Sequence, residues 1–562
     1  MRYLYFLLLS FSCIGAQGQP FMWNWSISDS CTFSFPDVRG MATDVLGNSY
    51  VAGQFYGTAR FGDLPPVTSA GLGDVFVVKY DNSGTALWVA TAGGTDIDFP
   101  GDLAIDAAGN VTIVGQFRSS EMSFGSTSHT LVGAIDLFVA KLDGGDGSYL
   151  WSQRYGSNDF QEQHYESANA VAMDAEGNAY VSGCFRYTLA VPGLVTLQGC
   201  GQYNTSFLLK LDPDGNGVWS RRTDCTRHFI LGAAEGQRIT VGPAGDLYLG
   251  LRARGDTIFY ETDTILNQQT DGGAYDVILA KYDLDGNYQW ARPIAGMGYD
   301  EAQALAADAE GNVYIAIDRE GMTALALPNI GISGDQGLYR SLVVKFGPEG
   351  TALWGARLGN STFSHDVEAL IVEDPEHILV AGWHRGNFQF DDVPAYPTPG
   401  GSYGLFLARY DSSGVLGEFH AARDQGARGI RGIGQDGGGN MYVAGYYQDS
   451  LSFPGLPVMD FTNSSTRGMF LARSGDFNTG LGTHAIATST AYPNPTGGSF
   501  TVQSENPFTE LRIVSTLGAL VAHDRFAPST LRQLELQAEG VFAYTLWNKG
   551  SMVGHGRVVV QR

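Results

Sequence analysis

Met173-Asp174-Ala175-Glu176-Gly177-Asn178-Ala179-Tyr180-Val181-Ser182-Gly183 reads as strand, turn, strand. Asp174 opens a tight turn by accepting bonds from backbone N–H groups two residues on. Gly177 supplies the positive φ that a short hairpin loop needs. Tyr180-Val181 starts the second strand. The block recurs at Asp44, Asp106, Gly242, Asp308, Glu373 and Asp436. The turn positions Gly47, Gly109, Gly177, Gly245, Gly311, Glu376 and Gly439 stand 62, 68, 68, 66, 65 and 63 residues apart. A period held that closely marks a repeat architecture. The sixth copy replaces Gly-Asn by Glu376-His377, which predicts a strained or differently shaped turn.

Each period carries a second block. Asp74-Val-Phe-Val-Val-Lys79-Tyr-Asp81 leads to Trp88, and Asp136-Leu-Phe-Val-Ala-Lys141 leads to Trp151. Later copies lead to Trp219, Trp290, Trp354 and Phe419, and the seventh runs into a polar stretch. One period is therefore four strands. The third is almost wholly apolar, as a strand buried on both faces requires. Four-stranded sheets packed face to face around an axis, a β-propeller, meet that need. A linear solenoid is the alternative, and it would want polar caps at both ends.

The ends of the array favour the propeller. The outer strand missing from the last period is supplied by Phe21-Met-Trp23-Asn-Trp25. Trp25 precedes Asp44 by 19 residues, as Trp354 precedes Glu373 by 19. The N-terminal strand is therefore expected to complete the last of seven blades and remove a free edge.

The Asp-x-x-Gly-Asn-x-Tyr-Val-x-Gly and Asp-x-Phe-Val-x-Lys-x-Asp-x-x-Gly blocks resemble those of the bacterial seven-bladed β-propeller repeat (SBBP) proteins. The resemblance covers residues 21–473 and implies a fold, not an activity. Residues 474–489 turn to Gly, Thr, Ser and Ala and read as a linker. Beyond them, Tyr492-Pro493-Asn494-Pro495 with Gly497 opens a run of short β-rich segments. With Leu517-Gly518, Gly540-Val541-Phe542 and a basic end, residues 490–562 resemble the type A sorting domain of the type IX secretion system of Bacteroidota. That resemblance implies a small β-sandwich, a partner in the secretion machinery, passage across the outer membrane, and removal of the domain.

The N-terminus fits that route. Arg2, an apolar run from Leu4 to Phe11 and Ala16-Gln17-Gly18 read as a signal peptide over residues 1–18. Cys13 raises a lipoprotein signal, but Ser10 stands where that signal wants leucine. No later stretch reaches transmembrane length. The expected location is secreted or on the outer cell surface. Glycine numbers 75 of 562 residues and charged residues make up 16%, which suits many short strands and argues against disorder. A net charge of −24 argues against nucleic-acid or anionic-membrane partners.

Four cysteines remain after such cleavage. Cys184 and Cys200, in one connection, are the expected disulfide, with Cys225 competing for Cys200.

No catalytic motif stands out, and no cofactor is expected. The ten histidines are scattered, and no His-Glu-x-x-His, Gly-x-Ser-x-Gly or phosphate-cradling loop occurs. Asp212-Pro-Asp214-Gly215 and Asp283-Leu-Asp285-Gly286 resemble the start of a calcium loop. They lack its closing glutamate and recur where turns are due. The tryptophans are expected to pack sheets together rather than to stack sugars. Candidate ligand-face residues lie in the connections between periods: Asp98, Glu166, His228, Asp300, Glu301, His365, Asp366 and Glu368. The expected function is a non-enzymatic binding or adhesion scaffold for an extracellular protein or glycan. The alternatives are a propeller enzyme, such as a polysaccharide lyase or hydrolase, and a purely structural surface protein.

Overall fold

The computed structural model describes residues 23–31, 37–157, 165–222, 234–254, 257–260, 263–266, 275–294, 299–319, 341–358, 365–385, 403–424, 429–448, 450–453, 456–460, 467–474, 489–492, 496–515, 520–537, 540–548 and 551–560. The expected signal peptide and most of the linker lie outside them. Every regular element among the described residues is a β-strand. None is a helix long and apolar enough to cross a membrane.

The local rule is visible at the opening stretch. Asp174 Oδ1 accepts the Asn178 N–H at 2.9 Å, and Asn178 Nδ2 donates to Oδ2 at 2.8 Å. Gly177 sits at φ 84°, a conformation that costs glycine little. Tyr180 O–H donates to the same Asp174 Oδ2 at 2.9 Å. A lysine of the third strand completes the set in other copies: Lys141 with Asp106 at 2.9 Å, Lys281 with Asp246 at 3.0 Å. The aspartate thus joins a turn, its following strand and the next strand through one carboxylate. In the sixth copy no residue takes positive φ. Glu376 N–H bonds Asp374 Oδ1 at 2.7 Å instead. Glu373 keeps the tie to the third strand by pairing twice with Arg409, at 2.6 and 2.7 Å. A longer acid meets a longer base, so the altered turn keeps its cross-strand link.

These hairpins build recurring four-stranded antiparallel sheets. Glu166–Met173, Ala179–Phe185, Thr205–Leu211 and Gly217–Arg222 form one, in sequence order. The first strands of successive sheets are Asp37–Thr43, Asp98–Ile105, Glu166–Met173, Ala234–Val241, Asp300–Ala307, His365–Asp374 and Gly429–Gln435. Each packs beside the first strand of the next sheet, and Gly429–Gln435 packs beside Asp37–Thr43. This is a β-propeller-like, all-β arrangement. The pairing expected for the N-terminal strand is present: Trp25 lies opposite Arg473 and Ser26 opposite Ala472. The far end of that strand also pairs with the first sheet, Ser30 opposite Arg60.

Neighbouring sheets share their cores. Tyr180 and Leu208 of one cluster with Leu249 and Ile278 of the next. Val51 and Phe76 cluster with Ala444, Met469 and Leu471 of the sheet that holds the N-terminal strand. The tryptophans sit at these seams, as expected. Trp219 Nε1 donates to the Leu284 carbonyl in the third-to-fourth-strand turn of the next sheet, at 3.2 Å. Lys210 Nζ reaches the same carbonyl at 3.1 Å. The indole lies flat on Gly286, where a Cβ would come 2.9 Å from the ring. Trp151 to Pro213, Trp290 to Pro348, Trp354 to Ser412 and Trp88 to Gly144 repeat the contact. Trp25 of the N-terminal strand makes it to Asn82 of the first sheet, at 3.2 Å.

The C-terminal strands Ser489–Tyr492, Ser499–Ser515, Leu520–Glu535, Gly540–Asn548 and Ser551–Val560 pair as one five-stranded sheet. Its core includes Phe500, Val502, Leu511, Ile513, Phe542 and Val558. The pairing of the long hairpin shifts between Gln503 and Phe508 and again between Phe508 and Glu510. Of the motif residues, Tyr492 ends a strand and is 44% exposed, Gly497 faces open space, and Gly540 starts a strand. Pro493, Asn494, Pro495 and Gly518 lie outside the described residues.

The Cys184–Cys200 disulfide is not formed. Cys184 is a buried free thiol, while Cys200 is disulfide-bonded. Cys184 lies within a strand, opposite Ser167 and Ser206. Strand register fixes where its sulfur points, and nearness in sequence does not override that. Cys225 lies outside the described residues.

The seam contact yields a graded expectation. Trp219→Phe keeps the flat ring and loses one hydrogen bond, at a cost of about 1 kcal/mol. Trp219→Ala also empties the seam and is expected to cost about 3 kcal/mol. Urea unfolding monitored by circular dichroism reads both, and equal losses for the two variants would contradict the stacking role.

Candidate functional site

Every first strand carries a one-residue bulge. The register shifts fall between Val38 and Gly40, Pro100 and Asp102, Ala168 and Ala170, Gly236 and Arg238, Ala302 and Ala304, Val367 and Ala369, and Ile430 and Gly432. The extra residues are Arg39, Gly101, Asn169, Gln237, Gln303, Glu368 and Arg431. A bulge re-aims a side chain that alternation would have placed elsewhere. All of these residues line one cavity of about 670 Å³ between the first strands. Six apolar residues, Met41, Leu103, Ile239, Leu305, Leu370 and Ile433, line it as well.

The cavity is charged, and most of its charges are paired. Arg39 meets Asp37 at 2.6 Å and Arg431 meets Glu368 at 2.9 Å. Arg252 holds Glu235 at 2.6 Å and also pairs with Glu301. Its guanidinium lies 4.9 Å from the centre of the Tyr275 ring, a cation–π distance. Asp102 accepts the Leu103 N–H at 2.8 Å and the Val171 N–H at 3.3 Å. Burial pushes its carboxyl up to about 6, against the pull of Arg238. Burial likewise pushes Glu368 up to about 7, with Arg431 opposing. Both side chains border the cavity yet lie deep among the first strands, so atom density around them outweighs their contact with open volume.

The residues expected at the ligand face divide. Glu301 and Glu368 line the cavity. Asp366 lies close enough to Asp318 and Glu368 for their charges to act on one another. Asp318 accepts Ser341 Oγ at 2.6 Å, and burial, then the Asp366 charge, raises its pKa. Asp98, Glu166 and Asp300 are wholly buried, not loop-end charges. Asp98 takes Arg118 N–H, Ser119 N–H and Ser119 Oγ at 3.1, 3.2 and 2.8 Å. Glu166 takes Ser157 N–H at 3.2 Å. The Asp300 N–H bonds the Tyr275 carbonyl of the preceding sheet at 2.8 Å. The carboxylates of Asp98 and Glu166 hold connections in place, and all three acids open strands. His228 and the side chain of His365 lie outside the described residues.

Arg39, Asp102, Glu235, Arg238 and Arg431 were not anticipated. A signal for the bulge residues exists in the repeat alignment. Each bulge residue stands five positions before the first residue of its turn, as Arg39 before Asp44 and Arg431 before Asp436. Down that column run Arg, Gly, Asn, Gln, Gln, Glu and Arg, with no apolar side chain.

Among the described residues no group of three His, Cys, Asp or Glu side chains is placed to hold a metal ion. Asp212 and Asp283 act as turn caps. Asp212 takes Asp214 N–H and Asn216 N–H, and Asp283 takes Asp285 N–H and Asn287 N–H, at 2.8 to 3.0 Å.

No family model matches the chain. An uncharacterized WD repeat-containing protein of Acanthamoeba polyphaga mimivirus is 21% identical over 392 residues, 56% of this chain. The match spans 27% of that relative's own length. Among solved structures, virginiamycin B lyase from Staphylococcus aureus aligns with TM-score 0.37 and 8% identity, over 79% of this chain and 98% of its own. The Neurospora crassa Pan2 WD40 domain aligns with TM-score 0.31 and 10% identity, over 67% and 89%.

The raised acids set a pH dependence. For Asp102 and Glu368 the folded pKa lies above the unfolded value of about 4. The stability linked to their protonated forms is therefore complete below about pH 4. It is lost as pH rises through about 6 and about 7. Asp102→Asn combined with Glu368→Gln is expected to flatten the fall in stability between pH 4.5 and 8 by on the order of 1–3 kcal/mol. Urea unfolding at four pH values measures it, and parallel profiles for wild type and variant would refute it.

Proposed function

We propose that the chain is an exported, non-enzymatic binding scaffold of the SBBP type, a closed ring of seven four-stranded blades followed by a sorting unit. Closure is supported by the pairing of Trp23–Cys31 with Arg467–Ser474. The Trp25 contact to the first sheet supports it too. Export is supported by the signal-like N-terminus and the Tyr492-Pro-Asn-Pro495 opening of a β-rich C-terminal unit, read as a type IX sorting sandwich.

One observation carries the binding role. The repeated side chains, the turn aspartate, tyrosine, lysine and tryptophan, are used up within and between sheets. What differs from sheet to sheet is the set of polar residues around the axis and in the connections. Such an asymmetric face on a rigid frame suits a protein or glycan partner. An enzyme reading draws on Glu368, whose raised pKa suits a general acid. Glu301→Gln and Glu368→Gln, made singly, separate the two. A scaffold loses partner affinity modestly on glycan and protein arrays and turns over no polymer. An enzyme loses about 10²–10⁴-fold in turnover with one of them.

Export is tested apart from binding. Chain truncated after Thr488 is expected to accumulate inside the outer membrane, whereas full-length chain reaches the surface and loses about seventy residues. Equal surface delivery of both forms would remove the sorting assignment.

A further inference from the structure

One arginine of the cavity is held differently from the others: the Asp102 charge acts on Arg238 through space rather than through a short ion pair. Arg39, Arg252 and Arg431 each hold a carboxylate, at 2.6, 2.6 and 2.9 Å. Arg238 holds none within ion-pair distance among the described residues. Its Nε donates to the Gln303 carbonyl and its Nη1 to the Gln237 carbonyl at 2.8 Å. Those carbonyls belong to bulge residues of two adjacent first strands, so the guanidinium plane is fixed before any ligand arrives. Asp102, Arg431, Glu301 and Glu368 act on it through space. Arg431 Nε is also buried without a hydrogen bond among the described residues. Ile239, next in sequence to Arg238, belongs to the apolar lining with Leu305 and Leu370.

We propose that the cavity binds a small carboxylate, its oxygens received by Arg238. A planar guanidinium presents paired N–H groups that match a carboxylate. Anchoring it on two strands removes the ordering cost that binding would otherwise carry. About 670 Å³ lies within the usual range of ligand pockets, roughly 300–1,000 Å³. The site goes beyond the scaffold reading. It requires neither a macromolecular partner nor export.

Titration calorimetry of the full-length protein with isovalerate at pH 8 tests the site, because Glu368 is ionised there. Isovalerate is expected to bind saturably with one site per chain. Isovaleramide, of the same shape without the charge, is expected to bind at least about tenfold more weakly. Arg238→Gln is expected to weaken isovalerate by a similar factor. Glu368→Gln is expected to tighten it severalfold, since a nearby negative charge is gone and Arg431 is released. A gain of affinity is not something misfolding can imitate. No saturable isovalerate binding, equal binding of the amide, unchanged affinity in Arg238→Gln or weaker binding in Glu368→Gln would each overturn the proposal. The array measurements on macromolecular partners stand or fall separately.

Discussion

The seam between sheets depends on one contact, an indole laid flat on a glycine turn with its N–H on a neighbouring carbonyl. It fixes separation, because a Cβ on Gly286 would meet the Trp219 ring at 2.9 Å. It fixes register, because the Leu284 carbonyl must receive Trp219 and Lys210 together. Apolar packing alone does neither, since the hydrophobic effect has no direction. The lysine also shows why charged residues can sit at a packed seam. Lys281 spans Asp246 of its own sheet and the Pro348 carbonyl of the next, with the Tyr248 ring 5.5 Å below. Two of its three N–H groups meet oxygen acceptors and its charge faces a ring, so its burial is tolerated.

Seams fixed in this way leave little freedom around the axis, and the bulge supplies what remains. A strand with strict alternation would send Gln237 or Glu368 away from the cavity. One extra residue per first strand turns it inward while the rest of the strand stays in register. The cost is a gap in the ladder, and it is met locally. The Gln237 and Gln303 carbonyls, for example, take Arg238 as donor.

This division explains what could be read from the sequence. The hairpins were legible because Asp, Gly and Tyr recur at fixed spacing and each has a steric or hydrogen-bonding reason. The pairing of Trp25 with Arg473 was legible because a strand was missing at one end and spare at the other. The sixth turn was legible as a departure, though its Glu373–Arg409 substitute was not. The cavity was largely missed. Asp98, Glu166 and Asp300 look like loop-end charges in the sequence but are wholly buried, and the polar column that lines the cavity sits inside the first strands instead. A bulge leaves no mark in a two-residue period, and it emerges only when all copies are aligned on the turn. The cysteines failed for another reason: pairing depends on Cα separation and side-chain direction, and Cys184 is held by strand register.

The overall charge of the chain makes an arginine-centred cavity look out of place. A net charge of −24 would repel a small anion if charge acted as one sum. It does not, because exposed charges are screened over about 8 Å at physiological salt. What an anion meets inside is the local set, where Arg39, Arg252 and Arg431 are closed by short ion pairs while Arg238 is fixed by two carbonyls and feels Asp102 only through space. Low-dielectric surroundings strengthen that one interaction. The same surroundings penalise the acids, which is why burial lifts Asp102 and Glu368 towards neutrality. The acidic exterior and the arginine at the axis therefore answer to different distances, and only the shorter one bears on what the cavity can hold.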